Sequence, residues 1–138
     1  MKAHIVGSLL IAPATLLAQS TRQAAALRVV DAQGVQVVVA NARIDYGGMF
    51  ASDLQMDGIR LQQGDGVVSV KWSTVDTIRV IATDSARPPT LRLEVVLRNG
   101  VRRPATLLEQ GHMQLIGQTD LGDYVLDLHK IRLIVPMR

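Results

Sequence analysis

The stretch from Val67 to Ile81 constrains the fold most. Val68, Val70 and Trp72 fall on one face of an extended segment, with Ser69 and Lys71 on the other. Ser73 and Thr74 break the alternation, and Val75, Ile78 and Val80 resume it. The same shape returns from Tyr124 to Val135. Leu126 stands where Val70 stood, Leu128 where Trp72 stood, Ile131 where Val75 stood and Ile134 where Ile78 stood. Such self-similarity reads as two copies of one β unit, each of about 50 residues, sharing a core.

Length and composition agree with that reading. A chain of 138 residues is ordinarily one domain. Apolar residues make up 48% but aromatics only 3%, so aliphatic side chains must do the packing, which favours sheet. The formal charge of +3 shrinks on inspection. Removing Lys2 and Arg22 from the 15 basic residues leaves 13 against 12 acidic ones, too balanced for an electrostatic footprint on nucleic acid. With no cysteine there are no disulfides, no thiolate metal ligands and no cysteine nucleophile.

Residues 1–26 have the pattern of a secretory signal peptide. Lys2 supplies the charge, Ile5 to Leu17 the apolar run, and small residues follow, with candidate cleavage positions after Ala18 and after Ala26. The run is interrupted by Pro13 and is short for the roughly 20 residues needed to cross a bilayer, so membrane attachment is expected only through an uncleaved leader.

Beyond the leader, strands are expected at Leu27 to Asp31, Val35 to Ala40, Ile59 to Leu61, Val67 to Ile81, Leu91 to Leu97, Val101 to Leu108, Met113 to Leu115 and Tyr124 to Val135. Gly64-Asp65-Gly66, Asn99-Gly100 and Thr119 to Asp123 read as turns, as do Gly47-Gly48 and Ser52-Asp53. Gly117 is read as a turn glycine too, and Pro104 as the mark of an edge or bulge. Ser73 to Asp76 and His129 to Arg132 each suit one short helical turn. The segment Thr83 to Thr90, with Pro88-Pro89, reads as the seam between repeats covering about 27–83 and 90–138. The expected fold is all-β, of about eight to ten short strands, as a small barrel or two packed half-barrels preceded by the leader helix. An immunoglobulin-like sandwich is the alternative.

Leu97 to Gly100, Thr119 to Gly122 and Tyr124 to Ile131 carry a pattern of apolar strand, glycine turn, strand, short turn and isoleucine. It resembles the Sm-like or SH3-like small-barrel units of bacterial exported and envelope proteins. The resemblance spans about 100 residues across both copies and implies a fold more than an activity. Some Sm-like relatives bind RNA. This chain departs from them, being nearly neutral and lacking a loop aromatic suited to stacking a base.

Candidate chemistry is sparse. His112, Asp120, Asp123, Asp127 and His129 gather near the C-terminus, and Asp127 with His129 would share a strand face available to Zn²⁺ together with His112. The plainer reading makes Asp127 and His129 a solvent face. Asp120 and Asp123 offer oxygen ligands for Ca²⁺ but read better as a turn. No serine lies in a Gly-x-Ser-x-Gly elbow, and Gly64, Gly66, Gly100, Gly117 and Gly122 have no phosphate-cradling spacing. Arg98, Arg102 and Arg103 surround the Asn99-Gly100 turn, where they would touch an anion or simply guard an edge strand. Trp72 reads as core rather than as pocket lining.

The expectation is an exported, non-enzymatic β module of the envelope or periplasm, without catalytic, cofactor or metal residues. It would act on a protein partner or a second copy of itself, and not on nucleic acid. A small-ligand, polysaccharide or lipid-headgroup binder is the alternative, and an unrecognised hydrolase is the more remote one.

Overall fold

A computed structural model describes residues 25–46, 57–84, 90–108 and 113–138. The leader, the Gly47-Gly48 and Ser52-Asp53 turns, Pro88-Pro89 and His112 lie outside the described residues. Among the described residues ten strands run in chain order: β1 (Leu27–Asp31), β2 (Gln36–Asp45), β3 (Gly58–Gln63), β4 (Gly66–Lys71), β5 (Val75–Asp84), β6 (Thr90–Leu97), β7 (Arg102–Leu108), β8 (Gln114–Thr119), β9 (Gly122–Asp127) and β10 (Ile131–Pro136). Single 3₁₀ turns at Trp72–Thr74 and Leu128–Lys130 precede β5 and β10.

The strands form one curled antiparallel sheet, a half-barrel, in the order β4-β3-β7-β6-β5-β10-β1-β2-β8-β9. Alternation dictates its inner lining. Leu27 and Val29, Ile59 and Leu61, Leu91, Leu93 and Val95, and Leu115 are all buried. They join Trp72, Val75, Ile78, Leu128, Ile131 and Ile134 in a single cluster. Trp72 and Leu128 each open a 3₁₀ turn, Val75 and Ile131 each begin the strand that follows, and Ile78 and Ile134 are direct cross-strand partners.

Several expectations are corrected. Of Val35, Val37 and Val39, expected on one face of a strand from Val35, Val35 precedes β2 and is exposed, and only Val37 and Val39 face inward. β2 continues through Asp45 because a bulge between Ala40 and Arg43 lets it turn without ending; Asn41 adopts φ 52° there. Gly117 is not in a turn but in mid-β8, where a Cβ would lie 2.5 Å from Val39 Cγ1 and 2.7 Å from the Ala40 carbonyl. Its missing side chain lets β8 lie against the β2 bulge. Pro104 sits on β7, which has neighbours on both sides. Its environment is nevertheless edge-like, since β3 meets β7 in register only at Gln62 and Thr106.

The segment expected as the seam between repeats, 83–90, joins two neighbouring strands. Thr83 pairs with Leu91 and Asp84 with Thr90, so β5 and β6 are adjacent strands. The end hairpins dock across the chain instead: β3-β4 on β7, and β8-β9 on β2.

Candidate functional site

The sequence-derived candidates among the described residues do not converge. Asp127 closes β9 while His129 lies within the following 3₁₀ turn, so the two do not share a strand face. The turn begins at once after Asp127 because Leu128 is drawn into the core and its N–H donates to the Met113 carbonyl at 3.0 Å. Asp127 accepts from the Gln114 amide at 3.1 Å. The Asp120 turn is held by Thr119, whose hydroxyl donates to the Gly122 carbonyl and accepts from the Leu121 N–H. Among the described residues no group of three or more His, Asp or Glu is placed to hold a metal ion.

The hairpin arginines are exposed and bond within their own chain. Arg102 pairs with Glu94 at 3.0 Å, Arg103 donates to the Arg102 carbonyl and Arg98 to the Val75 carbonyl. Trp72 is 1% exposed, within the core. Its indole N–H finds no acceptor among the described residues.

Two shallow clefts lie on the sheet. One, of about 450 Å³, is bordered by Asn41, Arg43, Gln118 and Asp123. Asn41 donates to Gln118 across it at 3.2 Å. Another, of about 430 Å³, lies over Gln62, Arg92 and Thr106. Nearby, the Tyr124 phenol is held above its ordinary 10.0, first by burial and then by the negative charge of Asp31.

The sheet edges are the more distinctive surface, and residue-by-residue reading of the sequence missed them. Among the described residues β4 and β9 end the sheet. Trp72 N–H donates to the Asp57 carbonyl at 3.1 Å, which fixes the phase of the β3–β4 ladder. Hydrogen-bonded and non-hydrogen-bonded pairs alternate along antiparallel strands. The backbone groups of Val68 and Val70 therefore face β3, and those of Val67, Ser69 and Lys71 face outward. The Leu128–Met113 bond sets β9 in the same way, turning Asp123, Val125 and Asp127 outward. Two outward carbonyls, at the strand ends, are already engaged, since the 3₁₀ turns that follow start from the carbonyls of Lys71 and Asp127, and the Lys71 carbonyl also accepts from the Thr74 hydroxyl at 2.9 Å. The side chains are open as well: Val67 is 69% exposed and Val125 is 59% exposed. The alternation that reveals a strand carries no mark of whether the strand has a neighbour.

Comparison of the chain with protein-family models, with curated proteins and with solved structures finds no match in any of the three. No helix among the described residues is long and apolar enough to cross a membrane.

Proposed function

We propose that this chain is an exported, non-enzymatic β module of the bacterial envelope or periplasm that acts through protein–protein contact at its free sheet edges. The observation that carries the reading is the pair of terminal strands, β4 and β9, each presenting a row of outward backbone groups beside exposed valines. Most proteins blunt such edges because an added strand satisfies the row with main-chain hydrogen bonds. Here the charges on the edges are few: Lys71 on β4, and Asp123 and Asp127 on β9. The leader pattern supports export, and the resemblance to small-barrel envelope units supports the compartment. The reading of 27–83 and 90–138 as related units is supported by the strand order. Exchanging β1–β5 for β6–β10 returns the same sheet read from its other end.

Site-specific photo-crosslinking in the producing cell tests this. A photoreactive residue at Ser69 or Val125 is expected to capture a protein identifiable by mass spectrometry, while the same residue at exposed Arg79, in the middle of the sheet, captures none. Equal labelling from Arg79, or none from either edge, would overturn the edge reading.

The ligand-binding alternative rests on the cleft at Asn41, Arg43 and Gln118, whose polar border suits a sugar or an anionic headgroup. A thermal-shift screen against sugars, lipids and anions tests it, and an Arg43→Ala variant should abolish any shift found there.

A further inference from the structure

We infer that the edge-strand partner is a second copy of this chain, joined head to tail so that β9 of one copy adds to β4 of the next. The inference rests on the edge reading above and names its occupant.

Strand direction allows the joint. All neighbouring pairs in the sheet are antiparallel and the strands number ten, so β4 and β9 run in opposite directions. A second copy laid beside the first with the same face inward therefore meets it with β9 and β4 antiparallel, and the sheet continues in one pattern.

Register then fixes which residues meet. The outward backbone groups belong to Val67, Ser69 and Lys71 on one edge and to Asp123, Val125 and Asp127 on the other. Full overlap of these trios sets Lys71 opposite Asp123, Ser69 opposite Val125 and Val67 opposite Asp127. Opposite charges directly across an antiparallel ladder are favourable. Among the described residues neither Lys71 nor Asp123 is engaged in an ion pair of its own. On the inner face the same register sets Val68 opposite Leu126 and Val70 opposite Tyr124. Val68, 39% exposed at the rim of the core, would gain the neighbour it lacks.

The two self-pairings are poorer. Two β9 edges in full overlap oppose Asp123 to Asp127 twice, and like charges directly across a ladder are destabilising. Two β4 edges oppose Lys71 to Val67 and leave the lysine without a carboxylate. Charge thus selects the unlike edges, a contact that propagates until a ring closes or a filament forms.

Light scattering after size exclusion, with native mass spectrometry, tests the inference on the full mature chain. Ser69→Pro and Val125→Pro each remove an outward N–H and leave the bonds to the neighbouring strand in place. The wild type should assemble, each variant alone should be monomeric, and an equal mixture should give a dimer of one copy of each that grows no further. A dimer of Val125→Pro alone would mean β4–β4 pairing, a dimer of Ser69→Pro alone β9–β9 pairing, and either overturns the inference. Should a proline variant fail to fold, charge serves instead. Lys71→Glu and Asp123→Lys should each weaken assembly by about 2- to 5-fold, and combining them in one chain should restore it. No recovery overturns the proposed register. A wild type that stays monomeric, while Ser69 or Val125 crosslinks to a different protein in the cell, ends self-pairing and leaves the edge reading standing.

Discussion

Trp72 is among the largest fully buried side chains, and its indole N–H is buried without an acceptor among the described residues. The two facts pull in opposite directions. Truncation to alanine removes a large apolar volume and is expected to cost about 3–5 kcal/mol. Trp72→Phe keeps most of the ring and discards the unpaired N–H, whose burial itself costs about 1–3 kcal/mol. We therefore expect Trp72→Phe to lose less than about 1.5 kcal/mol in guanidinium denaturation followed by circular dichroism. A phenylalanine variant as unstable as the alanine one would show that the indole N–H has a partner after all. Trp72 was legible as core because it alternates with Val70 and has Leu128 as its counterpart. Ala25 and Ala26 were not legible in this way, since small residues before a strand look like a cleavage site. Their carbonyls accept from Ala42 at 3.0 Å and from Met137 at 2.9 Å. A cut after Ala26 would remove both acceptors, whereas a cut after Ala18 keeps them. On the exported reading, the intact mass of the processed chain should correspond to a start at Gln19, and a start at Leu27 would count against these bonds mattering.

At the scale of elements, alternation located strands well and their ends less well. β1 and the Asn99-Gly100 hairpin fall where the pattern places them, with Gly100 at φ 87°. Both 3₁₀ turns begin a residue before the expected spans, at Trp72 and Leu128, because the buried side chain is part of the turn. The second half of β2 was hidden because Asn41, in the left-handed region, interrupts the period on which the reading depends. Gly117 was misplaced for a related reason: what requires a glycine there is the backbone of β2, distant in sequence. That gives a paired prediction. Gly117→Ala puts a methyl group against Val39 and the Ala40 carbonyl and should cost about 1–3 kcal/mol. Gly66→Ala, at the start of β4, meets nothing closer than the Gln63 carbonyl at 3.6 Å and should lie within about 0.5 kcal/mol of wild type. Denaturation midpoints of the two variants check this, and equal losses would mean that β2 and β8 are not packed as closely as described.

At the scale of the molecule, the least legible feature was which strand pairs with which. Nothing local in Gln62 announces Thr106 as its partner, nor in Ile44 its partner Leu115. The result is a sheet with two unequal routes to its halves. β3 to β7 are consecutive in the chain and make one flank, whereas the other is assembled from both ends, β1 and β2 with β8, β9 and β10. The flanks meet at β5 and β10, whose register is Ile78 opposite Ile134 and Arg79 opposite Leu133. So short a junction would let the halves unfold separately were it their sole link. One buried cluster, however, draws on both flanks, and a shared core makes unfolding cooperative. Ile78 and Ile134 are 2% and 1% exposed, and they face each other across that junction. Each isoleucine-to-alanine change should cost about 2–5 kcal/mol. Because the two deletions open into one cavity, the double variant should differ from the sum of the singles by about 0.5–3 kcal/mol. Costs additive to within about 0.5 kcal/mol would place the two side chains in separate packing environments. A wild type that unfolds in two resolved steps would mean that the flanks carry independent cores.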